Sequence, residues 1–352
     1  MNFGEQAEQE NIAELLPFLL QPENIARYED GSVFICDRRK YPFSKEFVRC
    51  QTVEEVAVAI EQMVTQGGGP WMAASHAMIL AAREVSGNTS QKIAAHLGTA
   101  RNRLVSTRPT NTAMARRLDL LLAAADVALK QGASVEVAIT EWIKGAITGL
   151  YENYAIRARH AASLIEDGDG ILTNCFAETG LIVAVAMAVR DGKKVRVFTP
   201  ETRPYFQGAK LTSPCFHELG IDVTLITDNM PAFVMSQGSI QKYMTAADLI
   251  TVDGHVVNKI GTFQLALAAQ YHDIPFYAFA WGKDENSRTR DDIEMEYRDA
   301  GDIRKAMGQP TTLESIDAWY PAFDICPPEM VAGVVTVHGV LKPGELAGYS
   351  GW

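Results

Sequence analysis

Cysteine is scarce in this chain, and its spacing excludes whole classes of chemistry. Cys36, Cys50, Cys175, Cys215 and Cys326 are odd in number and scattered across 352 residues. No two stand at CxxC or zinc-ligand spacing, so no redox dithiol or metal site is expected, and reduced cytoplasmic thiols are. Basic residues are also in deficit: 32 Lys and Arg against 43 Asp and Glu leave a formal net charge of −11. That balance argues against a nucleic-acid surface, and an anionic substrate would need a locally basic pocket inside an acidic shell. Long apolar runs are missing too. Residues 13–20 are too short and proline-broken to span a membrane, and residues 1–10 lack the basic start of a signal peptide. There is no internal repeat, no low-complexity linker, no G-x-G-x-x-G and no P-loop lysine.

What is present is globular: 47% hydrophobic and 21% charged residues suit a soluble protein of two domains or one large one. In the first half, residues 32–36 form a strand candidate. Thr52-Val-Glu-Glu55 is a capping-box pattern that opens a helix carrying Val56, Val58, Ala59, Ile60 and Met63. Gly67-Gly68-Gly69-Pro70 must end that helix. Residues 71–85, 113–130 and 134–161 follow helical periodicity.

From about Asp167 the texture changes to strand-helix alternation. Strands are expected at 171–174, 194–200, 223–227, 249–252 and 275–280, and helices at 179–190, 206–219 and 259–271. This βαβ rhythm implies an α/β fold with a mainly parallel sheet covered on both faces. Residues 283–299 are charge-rich and are expected to form a solvated loop plus helix.

Open parallel sheets bind ligands beyond the carboxyl ends of their strands, so the residues there are the candidates. Ile171-Leu-Thr-Asn-Cys175 ends on a thiol just before a helix, whose dipole would favour the thiolate. Packing is the competing explanation, since free cysteines are among the most buried residues. Asp228, after the third strand, would face the same crevice, or merely cap a helix. Lys259, at an expected helix start, adds positive charge to a positive dipole end and so hints at a phosphate. Gly67, Gly68 and Gly69 could bring backbone N–H groups to an anion, or form a plain turn. Arg108, before Pro109 and Thr110, suits a phosphate or carboxylate, or a surface ion pair.

Asn174-Cys175 with Gly180, Glu201-Thr-Arg-Pro with Gln207-Gly-Ala, Thr227-Asp228-Asn229-Met230 and Asn258-Lys-Ile-Gly-Thr262 occur in order. With Asp37-Arg-Arg, Thr52-Val-Glu-Glu-Val56, Arg108-Pro-Thr110 and Pro321-Ala-Phe-Asp324, the set resembles the methylthioribose-1-phosphate isomerase family. That family is similar in turn to the initiation-factor 2B regulatory subunits, and the resemblance runs from about Arg27 to Gly339. It implies a mostly helical N-terminal domain with a short β element (1–150), a Rossmann-like catalytic domain (151–352) and a homodimer. It also implies a cofactor-free aldose-ketose isomerase acting on a 5-substituted ribose 1-phosphate, as in methionine salvage. Cys175 and Asp228 match the catalytic pair by position. Arg108, Gln207, Asn258 and Lys259 match substrate-binding positions, as does the glycine loop.

Three departures stand out. The family's glycine loop normally begins Arg-Gly-Ala-Pro, where this chain has Gly67-Gly-Gly-Pro70. Asp253-Gly-His255 replaces the usual Asn-Gly-Asp, and Ala280-Trp-Gly-Lys-Asp-Glu replaces a Pro-x-Ser-Thr pattern. They leave room for a sibling isomerase of 5-deoxyribose 1-phosphate or ribose 1,5-bisphosphate, and for a non-catalytic regulatory subunit. On the isomerase reading, a protonated Asp228 opens the sugar ring and Cys175 moves a proton from C2 to C1, with a hydride shift as the rival.

Overall fold

The computed structural model describes residues 11–108 and 112–349. The chain divides into two compact units, Phe18–Glu152 and a second made of residues 11–17 and 153–349. In the first, α1 (Pro22–Ile25) leads into an antiparallel sheet of β1 (Ala26–Glu29), β2 (Ser32–Cys36) and β3 (Phe47–Cys50). Helices α2 (Val53–Glu61), α3 (Gly69–Glu84), α4 (Ser90–Ser106) and α5 (Thr112–Gln131) follow, then α6 (Val135–Ala162), whose residues from Asn153 on, Tyr154 and Arg157 among them, belong to the second unit.

The expected capping box forms as written. Thr52 accepts the Glu55 N–H, and the Glu55 carboxylate accepts the Thr52 N–H. The glycine run both follows one helix and starts the next: Gly67 is left-handed at φ 61, and α3 begins at Gly69 with Pro70 in its first turn. Helix α4 is not among the helices expected from periodicity. Its buried residues are Leu97, Ala100 and Leu104, a stripe too narrow to show as amphipathic periodicity.

In the second unit the strands are β4 (Gly170–Leu172), β5 (Arg196–Pro200), β6 (Asp222–Ile226), β7 (Lys242–Ala246), β8 (Leu249–Ile250), β9 (Val256–Lys259) and β10 (Phe276–Phe279), then β11 (Lys305–Ala306), β12 (Gln309–Pro310), β13 (Phe323–Cys326), β14 (Gly333–Thr336) and β15 (Gly339–Leu341). The helices are α7 (Glu178–Arg190), α8 (Ser213–Glu218), α9 (Pro231–Ser236) and α10 (Thr262–Tyr271). Among the described residues the main sheet has seven strands in the order β15-β14-β10-β7-β4-β5-β6, parallel except for β15. The chain builds outward from β4 through β5 to β6, then returns to β7 on the other side. This is the doubly wound order, and its reversal point lies between β4 and β7. The mixed α/β architecture with a largely parallel sheet is the one expected.

One expected strand lies elsewhere. Residues 249–252 form not a main-sheet strand but the two-residue β8, which joins β9 and β13 in a separate antiparallel sheet. The fourth parallel strand is β7, whose opening lysine disguises a buried element. Lys242 is buried because its ammonium meets Asp169 Oδ2 at 2.6 Å, and pairing is what lets a lysine enter a sheet interior. Tyr243 beside it stacks on Phe276 at 4.5 Å in the core between β7 and β10. The charged segment 283–299 is mostly loop, its regular part being a single 3-10 turn at Arg290–Asp292.

Candidate active site

Cys175 and Asp248 lie on either side of the reversal point, just past the ends of β4 and β7. Cys175 is left-handed at φ 58. Its N–H donates to Thr202 Oγ1 at 3.1 Å, and its carbonyl accepts Thr212 Oγ1 at 2.7 Å. It is half-buried, whereas the other four cysteines are buried. The helix dipole was expected to favour the thiolate. Instead burial pushes the thiol up to about 11, against the downward pull of Lys259. At neutral pH the resting group is therefore mostly thiol, with a minor thiolate fraction.

Asp248 is exposed to solvent, with protein close around it. The crowding raises its carboxyl; Lys259 and Arg298 pull it down and Glu296 pushes it up. Asp248 in turn raises the Cys175 thiol, so the two share one field. Lys259 completes the group. It ends strand β9, is buried, and holds its ammonium 4.8 Å from the centre of the Phe323 ring, its partner across the sheet. Burial lowers its pKa, while Cys175 and Asp248 act to raise it.

At the start of α10 a carboxylate meets the backbone donors. Asp324 accepts the N–H groups of Gly261 at 2.8 Å and Phe263 at 3.1 Å, which is how a carboxylate caps a helix. Burial still raises the Asp324 carboxyl to about 6.

Behind these groups runs a buried polar network. Asn174 donates to Thr262 Oγ1 at 2.9 Å, and Asn258 donates to the same hydroxyl at 3.1 Å. Thr262 donates onward to the Lys259 carbonyl at 2.7 Å, and Thr245 to the Asn174 carbonyl at 3.1 Å. The β4, β7 and β9 ends are thereby tied together, and Asn258 serves in that tie. Gln207 is buried at the head of the π-helical turn Gly208–Thr212.

Asp228 is hydrogen-bonded to a neighbouring loop. Its two oxygens accept the N–H groups of Thr202 and Arg203, both at 2.7 Å. It thus holds the 201–207 loop, in which Thr202 and Phe206 are left-handed at φ 63 and φ 58. The carboxyl whose field reaches Cys175 is Asp248.

In the other unit, Gly69 is explained by packing. An added Cβ would come within 1.8 Å of Thr65 Oγ1. Arg108 follows the end of α4 and donates to the Ile60 carbonyl at 3.0 Å. Pro109 and Thr110 lie outside the described residues.

Sequence reasoning missed Asp248 and Arg298. Asp248 follows the strand that Lys242 disguised. Arg298 lies in the segment assigned to solvent, yet its guanidinium pairs with Glu296 at 2.6 Å and lies 5.7 Å from the Tyr205 ring and 5.8 Å from the Phe323 ring. Nothing in its local sequence marks it.

Residues 68–343 match the profile of the initiation factor 2 subunit family. The chain belongs to that family. A methylthioribose-1-phosphate isomerase of Thermosipho africanus is 36% identical over 88% of this chain and 92% of its own length. A protein of Methanocaldococcus jannaschii called a putative methylthioribose-1-phosphate isomerase is 37% identical, over 89% and 93%. Among solved structures, 5-methylthioribose 1-phosphate isomerase from Pyrococcus horikoshii OT3 superposes with a TM-score of 0.82, at 27% identity over 94% of this chain and 97% of that one. Translation initiation factor eIF-2B subunit delta from A. fulgidus gives 0.81, at 33% identity over 91% and 96%. The resemblance read from the motifs is thus the true kinship, and the fold is the family's.

Proposed function

We propose that this protein is an aldose-ketose isomerase converting 5-methylthioribose 1-phosphate to 5-methylthioribulose 1-phosphate, a step of methionine salvage. The observation that carries the reading is the meeting of Cys175, Asp248 and Lys259 at the reversal point of the sheet. A carboxyl held toward its acid form, beside a thiol facing an ammonium, supplies an acid and a base in one crevice. The isomerases among the family relatives support the substrate.

The substrate has its anomeric oxygen blocked by phosphate, so its ring does not open unaided. Asp248 gives its proton to the ring oxygen as the bond from that oxygen to C1 breaks. Cys175 acts through the minor thiolate fraction that Lys259 favours: it removes the proton from C2 and a C1–C2 double bond forms. The thiol, its proton exchanging with water, delivers a proton to C1, and the hydroxyl proton on O2 goes back to Asp248 as the C2 ketone forms. Every proton is accounted for, and both groups end as they began. Each transfer contributes on the order of 10²–10⁴ in rate. Lys259 offsets charge near the thiol. Gln207 and Asn258 shape the wall, and Asp228 fixes the loop that carries Gln207. Residues 67–69 and Arg108 are assigned to substrate binding on the family pattern. The same reading takes residues 151–352 as the catalytic domain and 1–150 as its mostly helical companion, working as a cytoplasmic homodimer.

The eIF-2B delta likeness supports a second reading, a sugar-phosphate-binding regulatory subunit. A coupled assay separates the two. Turnover of 5-methylthioribose 1-phosphate ahead of 5-deoxyribose 1-phosphate and ribose 1,5-bisphosphate is expected. Calorimetric binding of these sugars with no turnover of any would favour the regulatory reading.

A further inference from the structure

Three groups outside this chemistry meet behind the turn that carries Cys175. Arg157, on α6, is 1% exposed. One of its nitrogens meets Glu178 Oε1 at 3.0 Å. Its guanidinium carbon lies 3.7 Å from the centre of the Trp281 ring and 5.2 Å from that of Tyr154, and the two rings meet edge to face at 5.0 Å. Trp281 belongs to the 280–285 segment that departs from the family pattern.

Glu178 begins α7, three residues after Cys175. It is left-handed at φ 66, as Cys175 is at φ 58. Such a backbone costs a non-glycine residue roughly 1–2 kcal/mol and persists only where its surroundings impose it. Here the surroundings are visible on both sides. Thr212 Oγ1 donates to the Cys175 carbonyl and accepts the Ala177 N–H at 3.0 Å. On the other side Glu178 Oε2 accepts the Gly180 N–H at 3.3 Å, while Oε1 is fixed by Arg157. Gly180 leaves room for this close approach. A Cβ there would come within 3.2 Å of Glu178 Oε2, 3.3 Å of Phe279 Cδ1 and 3.6 Å of the Arg157 guanidinium.

Stability alone does not account for the arrangement. A buried ion pair contributes little net stability, and apolar residues of like volume often serve as well or better. A planar cation stacked on an indole is, however, a stiff anchor. We infer that Arg157, seated on Trp281, is a positioning residue for Cys175: through Glu178 it holds the left-handed turn on which the thiol is mounted. The inference rests on the proposed function only in taking Cys175 as the reacting group.

The test uses the full-length protein with Arg157→Met/Glu178→Gln, Glu178→Gln alone, and Arg157→Lys. Three quantities are read: melting temperature, the kcat and KM split, and the pH profile of Cys175 alkylation by iodoacetamide, located by mass spectrometry. The double variant removes both charges at similar volume and is expected to fold. Its kcat should fall about tenfold or more, as a misplaced reacting group does, with KM within about threefold of wild type. Its alkylation profile should shift, because the thiol's distances to Lys259, Asp248, Arg298 and Tyr320 change. Arg157→Lys should recover part of kcat. If the double variant does not fold, Glu178→Gln is read in the same way. A folded variant with wild-type kcat and an unchanged alkylation profile overturns the inference, as does a loss of melting temperature with that profile unchanged. If wild type turns over no sugar phosphate, the proposed function fails while the alkylation profile still decides this point.

Discussion

Cys175 and Asp248 follow β4 and β7, the two neighbouring strands between which the order of the sheet reverses. The reversal separates the loops after the two strands and leaves a crevice, and each residue enters it from its own strand end. The arrangement places a thiol and a carboxyl in one field without either being near the other in sequence. Both groups are shifted in the same direction, toward the proton-carrying form: Cys175 by its partial burial and Asp248 by the protein close around it.

The first prediction concerns the thiols. Cys175 is half-exposed and the others are buried, so iodoacetamide should label Cys175 alone in the folded protein. With the thiol near 11, labelling should be slow at neutral pH. Its rate should rise about tenfold per pH unit between roughly 8 and 10, following the thiolate fraction. Peptide mass mapping checks the site. A pH-independent rate, or label on Cys215, would contradict the burial argument.

The fate of the C2 proton is the second. Turnover in deuterated water should place solvent deuterium at C1 of the product, read by proton NMR. Full retention of the substrate hydrogen at C1 would favour a hydride shift instead.

The third concerns stability against pH. His76, on α3, is partly buried, and its desolvation lowers its pKa from 6.5 to about 4. The unfolded chain therefore binds this proton more readily, and stability falls as pH drops from about 6.5 to 4. Below about pH 4 this group costs the fold about 3 kcal/mol, since each tenfold change in proton affinity is worth about 1.36 kcal/mol. Urea midpoints at pH 7 and pH 4.5 check it. His76→Leu should lessen the difference between them, and an undiminished difference would assign the acid limb to other groups.

How much of this was legible beforehand depends on what local sequence encodes. The Thr52–Glu55 capping box, the glycine boundary and the βαβ rhythm are local signals, and the structure follows them. The family kinship was legible as well, because its motifs cluster at strand ends. Asp248 was not legible, because β7 opens with a lysine whose burial depends on Asp169, distant in the chain. Arg298 was hidden for a similar reason: a charged loop looks solvated until Phe323 and Tyr205 are seen beside it. Asp228 drew attention by its motif, and its two backbone N–H partners show a loop-holding role that no spacing could reveal.

Which of the two aspartates supplies the acid is decided most directly by one measurement. Steady-state kcat on 5-methylthioribose 1-phosphate is compared for Asp248→Asn and Asp228→Asn, with circular dichroism to verify folding. Loss of the acid should cost Asp248→Asn about 10²-fold or more. Asp228→Asn keeps one acceptor for the 201–207 loop and should lose less than about tenfold, a hydrogen-bond-sized effect. The reverse order, with Asp228→Asn inactive and Asp248→Asn near wild type, would contradict the account.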